Sequence, residues 1–201
     1  MNVKLLTLSI LIKLATINLT AMAQDVHKTK LKEKFLSDIQ KLTTENQSIP
    51  GWYIIDADGN EIYTHNEDLI FPQASAIKIP ILAEVVQQST KGKFKLSDEV
   101  KLDKDKYVGG SGVLNNFQGS VTLTIHDICM LMLKYSDNSA TNFLINLVGM
   151  DNINNTLKNH GLADIKLQRV MMDVNASQAG RENIASPKAA ALLMHKLIQG
   201  K

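Results

Sequence analysis

Ser75 and Lys78 stand three residues apart within the otherwise apolar stretch FPQASAIKIPIL, residues 71–82. A serine hydroxyl is a poor nucleophile until a neighbouring base takes its proton, and a lysine with a pKa lowered by burial can be that base. The alternative is a helix start whose lysine extends its ammonium group to solvent. The spacing alone does not decide between them.

A second polar motif, Ser136-Asp137-Asn138, lies further along the chain between two predicted helices. Ser, Asp and Asn are also the residues that helix starts prefer, so helix capping is the alternative explanation for this tripeptide.

Taken in order, the two motifs resemble those of the penicillin-recognising serine hydrolases, and among them the class A β-lactamases. Further matches follow the same order: GWYIIDADGNEIYTHN before FPQAS, GSGVL between the motifs, and RVMMDVN leading into GRENIASP. The resemblance covers essentially all of residues 28–201. It implies an α/β (α+β) fold of the β-lactamase/DD-peptidase type, with a helical domain and an antiparallel sheet.

The resemblance also implies a role for each matching residue. Ser75 would attack a lactam or acyl-peptide carbonyl, with Lys78 as base or electrostatic partner. Ser136 would pass a proton to the leaving nitrogen, and Asn138 would bind the substrate amide and help to hold Lys78. Asn175 is a further substrate-binding candidate. The backbone N–H of Ser75 would form half of an oxyanion hole, and no cofactor is implied.

The chain departs from the class A pattern in one loop, where the family carries Arg-x-Glu-Pro-x-Leu-Asn. Arg169 and Asn175 fall in register, but Met171 takes the place of the glutamate that primes the deacylating water. A thioether is no base at neutral pH, and the nearest carboxylate, Asp173, has a shorter side chain. Acylation is therefore better supported than deacylation.

The sequence leaves two candidates for the residue that pairs with the guanidinium of Arg169. Asn183 stands where the family usually places an aspartate, and Glu182 is the alternative.

The family's third motif, Lys-Thr-Gly or Lys-Ser-Gly, does not occur in the chain. We therefore expect a catalytic domain that is incomplete at its C-terminus, without the second oxyanion-hole amide. Of the sheet, only the N-terminal hairpin around Asp58-Gly59-Asn60 is expected.

Periodicity and capping residues predict the elements that position these motifs. Pro80 fits only a first helical turn, so the helix that carries Lys78 should begin near Ser75. Other helices are predicted at about 28–46, from Thr124 to Leu133, after Asn138, from about 151 to Gly161 and from Pro187 to Gly200, with a long loop over 169–183.

Residues 1–23 are predicted to be a secretory signal peptide, because an apolar run follows Lys4 and Ala21-Met22-Ala23 suits a signal peptidase. Lys13 interrupts the run, so a permanent membrane span is not expected. The remaining residues 24–201 would form one catalytic domain that acts in the periplasm or outside the cell.

Charge and spacing argue against other partners. Without Lys4 and Lys13, basic and acidic residues are equal in number, so nucleic acid is not an expected partner. The five histidines show neither HxH nor HExxH spacing, which gives no support for a metal site. Cys129, the single cysteine, is expected to be a buried thiol, and the folded chain is expected to be a monomer.

Three functional hypotheses result. The leading one is a secreted serine hydrolase, acylated at Ser75 by β-lactams or related acyl-peptides and then hydrolysed. The second is a penicillin-binding or DD-peptidase-like protein that releases its acyl group slowly, as Met171 suggests. The third is a non-catalytic remnant or a cell-wall binding module.

Overall fold

The computed structural model describes residues 26–45 and 47–200, so the predicted signal peptide lies outside the described residues. The chain divides after Pro50 into two compact units. The first contains helix α1, residues 26–45, which confirms the helix predicted there. No helix among the described residues is long and apolar enough to cross a membrane.

The second unit contains six helices. They are α2 (Lys78–Thr90), α3 (Ile125–Lys134), α4 (Asn138–Val148), α5 (Met150–Asn159), α6 (Val174–Gln178) and α7 (Pro187–Ile198). Four of them, α3, α4, α6 and α7, begin at a capping side chain. At the start of α3, Thr124 accepts a hydrogen bond from the N–H of Asp127. At the start of α7, the Ser186 side chain accepts a hydrogen bond from the N–H of Ala189, and Pro187 occupies the first turn.

The strands form three separate two-stranded antiparallel pairs. They are β1 (Trp52–Ile55) with β2 (Glu61–His65), β3 (Phe71–Pro72) with β6 (Ile184–Ala185), and β4 (Glu99–Leu102) with β5 (Val121–Thr124). The first pair is the predicted hairpin. Its turn is closed by Asp56, whose Oδ1 accepts hydrogen bonds from the N–H groups of Asp58 and Asn60 at 2.9 and 2.8 Å. The other two pairs, β3 with β6 and β4 with β5, were not predicted, and they are separate from the hairpin.

The hydrophobic core lies among α2, α3, α4 and α5. Its largest fully buried side chains on these helices are Ile81, Val85, Ile125, Ile128, Met132, Leu144 and Ile153. Burying each such side chain contributes about 1.5–3 kcal/mol, so the four helices are held firmly against one another. Cys129 belongs to this core, as predicted, and burial raises the pKa of its thiol to about 11.

A buried polar network crosses the same core. Gln88 on α2 donates its amide to Glu84 Oε1 at 2.7 Å and to the carbonyl of Val148 at the end of α4 at 2.9 Å. Thr156 on α5 donates its hydroxyl to Glu84 Oε2 at 2.6 Å. Because buried polar groups need partners, these bonds fix the register of α2 against α4 and α5.

Candidate active site

Four of the predicted site residues meet in one hydrogen-bonded group, which we call the serine–lysine cluster: Ser75, Lys78, Ser136 and Asn138. Lys78 Nζ lies 3.2 Å from Ser75 Oγ, 2.8 Å from Ser136 Oγ, 2.6 Å from the Ser136 carbonyl oxygen and 3.2 Å from Asn138 Oδ1. The two serine hydroxyls are 2.9 Å apart. The cluster therefore joins the start of α2 to the start of α4.

Ser75 lies at the N-terminal end of helical structure, in a 3₁₀ turn (Ala74–Ile77) that leads directly into α2. Lys78 is the first residue of α2, and Pro80 falls in its first turn, as the sequence predicts. N–H groups at such an end have no intrahelical acceptor, so the Ser75 N–H can donate to a negatively charged oxygen.

Lys78 is only 2% exposed, and removal from water lowers the pKa of its ammonium group. The charge of Asp137 raises the pKa in part and does not reverse that effect. An ammonium has three N–H donors, whereas four oxygens lie within hydrogen-bond distance of Nζ. A neutral amine at this place can instead accept the proton of a serine hydroxyl, which turns that serine into a nucleophile.

Asp137 holds the surrounding backbone. Its Oδ2 accepts hydrogen bonds from the N–H groups of Val113 and Leu114 at 2.7 and 2.8 Å, and its Oδ1 accepts one from Ala140 at 2.9 Å. A Cβ at Gly112 would collide with Oδ2 of Asp137, and Gly112 also has a φ of +121°. Only glycine fits at this approach of loop to carboxylate, so Asp137 both caps α4 and anchors the loop before it.

Backbone strain is concentrated beside the cluster. Among the described residues, four other than glycine have a positive φ: Asn66, Ala74, Ser136 and Met172. Ala74 precedes Ser75, and Ser136, with a φ of +53°, belongs to the cluster itself. Such conformations cost about 1–3 kcal/mol each and persist where the surrounding structure enforces them.

The loop that contains the predicted departure from the class A pattern packs against α4. Met171 is buried, and the side chain of Asn142 accepts from its N–H at 2.7 Å and donates to its carbonyl at 3.0 Å. The sequence analysis missed Asn142, because a single asparagine in a helix carries no local signal. Asp173 is engaged as the N-cap of α6, where it accepts from the N–H of Ala176 at 2.9 Å.

Asn175 is the one predicted site residue outside the cluster. It is exposed on α6, and no hydrogen bond of the described residues joins its side chain to the cluster. Its role in substrate binding stays a prediction.

Glu182, and not Asn183, is the ion-pair partner of Arg169. The guanidinium donates to Glu182 Oε2 from Nε at 3.0 Å and from Nη2 at 2.7 Å, and the Ser177 hydroxyl donates to the other oxygen. The Ser177 hydrogen bond, followed by the Arg169 contact, lowers the pKa of Glu182. Asn183 is buried and pairs instead with the backbone of Gln168 and Arg169.

No group of three or more His, Cys, Asp or Glu among the described residues is arranged to hold a metal ion. The distances allow protons to pass between the hydroxyls of Ser75 and Ser136 and the amine of Lys78.

Comparison with protein families gives a match between residues 30–201 and the model of the beta-lactamase enzyme family. Among curated proteins, the beta-lactamase CARB-3 of Pseudomonas aeruginosa is 26% identical over 165 residues, which cover 81% of this chain and 57% of that protein.

Solved structures give the same result. The beta-lactamase from Sphaerobacter thermophilus DSM 20745 superposes with a TM-score of 0.67 and 34% identity, covering 75% of this chain and 56% of that one. A mutant of PBP-A, solved as an acyl-enzyme complex with penicillin G, has a TM-score of 0.72 and 27% identity, covering 86% of this chain and 63% of that one. The chain thus spans a little over half the length of the proteins it matches.

The dependence of stability on pH tests the Arg169–Glu182 pair. Because the Ser177 hydrogen bond, followed by the Arg169 contact, lowers the pKa of Glu182, the ionised carboxylate stabilises the fold above the ordinary glutamate pKa of about 4.3 and loses this effect as the pH falls through the lowered pKa. We expect Glu182→Gln to be less stable than wild type at pH 7 in urea denaturation, with a difference that shrinks as the pH falls below about 4.3 and is lost below the lowered pKa of Glu182. Glu99→Gln, an exposed position without a described side-chain partner, serves as the control. Equal pH slopes in wild type and Glu182→Gln would contradict the assignment.

Proposed function

The chain belongs to the beta-lactamase enzyme family, and from that premise we propose that it is a serine hydrolase of the class A β-lactamase type, acylated at Ser75 by β-lactams or related acyl-peptides and then hydrolysed. One observation carries the proposal. The hydroxyls of Ser75 and Ser136 both lie within hydrogen-bond distance of the buried amine of Lys78, at 3.2 and 2.8 Å.

In the proposed acylation, the neutral amine of Lys78 takes the proton of Ser75 as Oγ attacks the carbonyl carbon. The negative charge on the carbonyl oxygen is stabilised by the N–H of Ser75 at the helix start. Lys78 returns its proton through the Ser136 hydroxyl to the lactam or amide nitrogen, the C–N bond breaks, and Ser75 is left as an ester.

Asn138 positions the substrate in this proposal. Its Oδ1 is occupied by Lys78, and its Nδ2 donates to the carbonyl of Gly109 at 3.1 Å. An amide nitrogen has two hydrogens, so the second can donate to the acylamino carbonyl of a substrate.

Deacylation is the slower half of the proposed reaction. Met171 offers no base, and the two carboxylates of the 169–183 loop are engaged, Asp173 at the start of α6 and Glu182 with Arg169. This arrangement supports a long-lived acyl-enzyme.

We also propose that the protein is exported and acts as a monomer in the periplasm or outside the cell. The pattern of residues 1–23 supports export, and it agrees with substrates that come from the cell wall or from outside.

Intact-mass measurement of the chain with excess benzylpenicillin tests the assignment of Ser75. We expect one penicilloyl adduct on the wild type and none on Ser75→Ala. Decay of the adduct means hydrolysis, and persistence over hours means that release is blocked. A folded wild type that forms no adduct would leave the non-catalytic remnant as the correct description.

The pH dependence of acylation tests the role of Lys78. Its lowered pKa means that the neutral amine forms at a lower pH than in an exposed lysine. The acylation rate should therefore rise with pH and level off below the ordinary lysine pKa of about 10.4. Lys78→Arg, whose guanidinium stays charged, should show no such rise. A wild-type rate that does not change with pH would remove Lys78 from the role of base.

Substitution at Met171 tests the missing deacylating base. Met171→Glu places a carboxylate at a buried position, where its pKa should be raised toward neutrality and it can act as a general base. We expect the penicilloyl adduct to decay at least about tenfold faster than in wild type. The matched control is Met171→Gln, which has the same shape and no basic group. Equal adduct lifetimes in the two variants would refute this explanation.

A further inference from the structure

A groove of about 460 Å³ lies between α2, α5 and α7. Its walls are mainly apolar and include Leu82 and Val86 of α2, Leu157 of α5, and Leu193 and Leu197 of α7. Val86 and Leu197 are 42% and 40% exposed, so part of this apolar wall is open to solvent. The volume falls within the range of about 300–1,000 Å³ that is usual for small-molecule sites. No residue of the serine–lysine cluster lines the groove.

A basic side chain on the α7 wall of the groove has no partner. Among the described residues, the lysines and arginines that are buried or partly buried are Lys78, Lys104, Arg169, Lys188 and Lys196. The first four each have an oxygen partner. In the same part of the chain, no carboxylate or other acceptor pairs with the Nζ of Lys196. Removing an unpaired ammonium group from water is costly, so a ligand that brings a negative charge would be stabilised there.

The polar lining of the groove favours the same kind of ligand. Its polar members are Gln87, Thr156, His160 and Lys196, and no Asp or Glu of the described residues lines it. Glu84 of α2 is buried and accepts hydrogen bonds from Gln88 and Thr156, so its charge is already satisfied inside the core. Charge complementarity therefore selects an occupant that carries a negative group on an apolar body.

We propose that the groove binds a free fatty acid. The carboxylate accepts a charge-assisted hydrogen bond from the Nζ of Lys196, and the alkyl chain covers the apolar walls that α2, α5 and α7 supply. This site goes beyond the proposed function, because binding there makes no use of Ser75 and breaks no bond.

Isothermal titration calorimetry with decanoate and 1-decanol tests the site, because the two compounds share the alkyl chain and differ in charge. At about pH 8 decanoate is ionised, and wild type should bind one molecule more tightly than 1-decanol. Lys196→Met keeps the apolar stem and removes the charge. It should weaken decanoate binding by about three- to tenfold and leave 1-decanol binding unchanged. The matched control is Lys158→Met, at an exposed lysine of α5 that does not line the groove, which should change neither affinity.

Two further variants separate the groove from the rest of the molecule. Leu197→Asp places a negative charge on the exposed part of the wall, where it should repel the carboxylate and abolish decanoate binding with little cost to folding. Ser75→Ala should bind decanoate as wild type does. The fatty-acid site can therefore fail while Ser75 is still acylated, and the reverse result is equally distinguishable.

Three results would overturn the inference. The first is a folded wild type that gives no heat of binding with decanoate. The second is equal decanoate affinity in wild type and Lys196→Met. The third is a dimer in sedimentation velocity that Leu197→Asp converts to monomer, because a second copy of the chain would then be the occupant of the groove.

Discussion

The burial of one lysine nitrogen is the constraint on which the rest of the structure depends. An ammonium group removed from water needs oxygen partners, and the Nζ of Lys78 finds them in two hydroxyls, a carbonyl and an amide. The carboxylate of Asp137, which stands between Ser136 and Asn138 in the sequence, binds three backbone N–H groups instead. A carboxylate in direct contact would raise the pKa of Lys78 and disfavour the neutral amine that the proposed acylation requires.

The same constraint explains the polar groups deep in the helical core. Ser75 and Lys78 are at the start of α2, whereas Ser136 and Asn138 are at the start of α4, so the distances in the cluster depend on how these helices pack. The network of Glu84, Gln88 and Thr156 fixes that packing with directional bonds, which apolar contacts alone do not provide. The packed helices hold the backbone of Ala74 and Ser136 in its strained, positive-φ conformation.

The sequence predicted the parts of the fold that have local signals. The hairpin turn at Gly59, the cap at Thr124 and the first-turn proline of α2 were readable from residue type alone. The ladders of β3 with β6 and β4 with β5 were not, because strands of two to four residues pair over long separations. Within the site, the motifs gave the four cluster residues. Three features depend on contacts between distant segments, so only the fold revealed them. They are the hydrogen bonds of Asn142 to the Met171 backbone, the pairing of Arg169 with Glu182 and the positive φ of Met172.

The burial of Cys129 has a practical consequence for spectroscopy. With a pKa of about 11, almost none of this thiol is ionised at neutral pH, and the surrounding core shields it from reagents. We therefore expect Cys129 to be unreactive toward maleimide dyes. A cysteine introduced on any exposed loop would be the single reactive position, so one fluorophore can be placed without first removing the natural thiol.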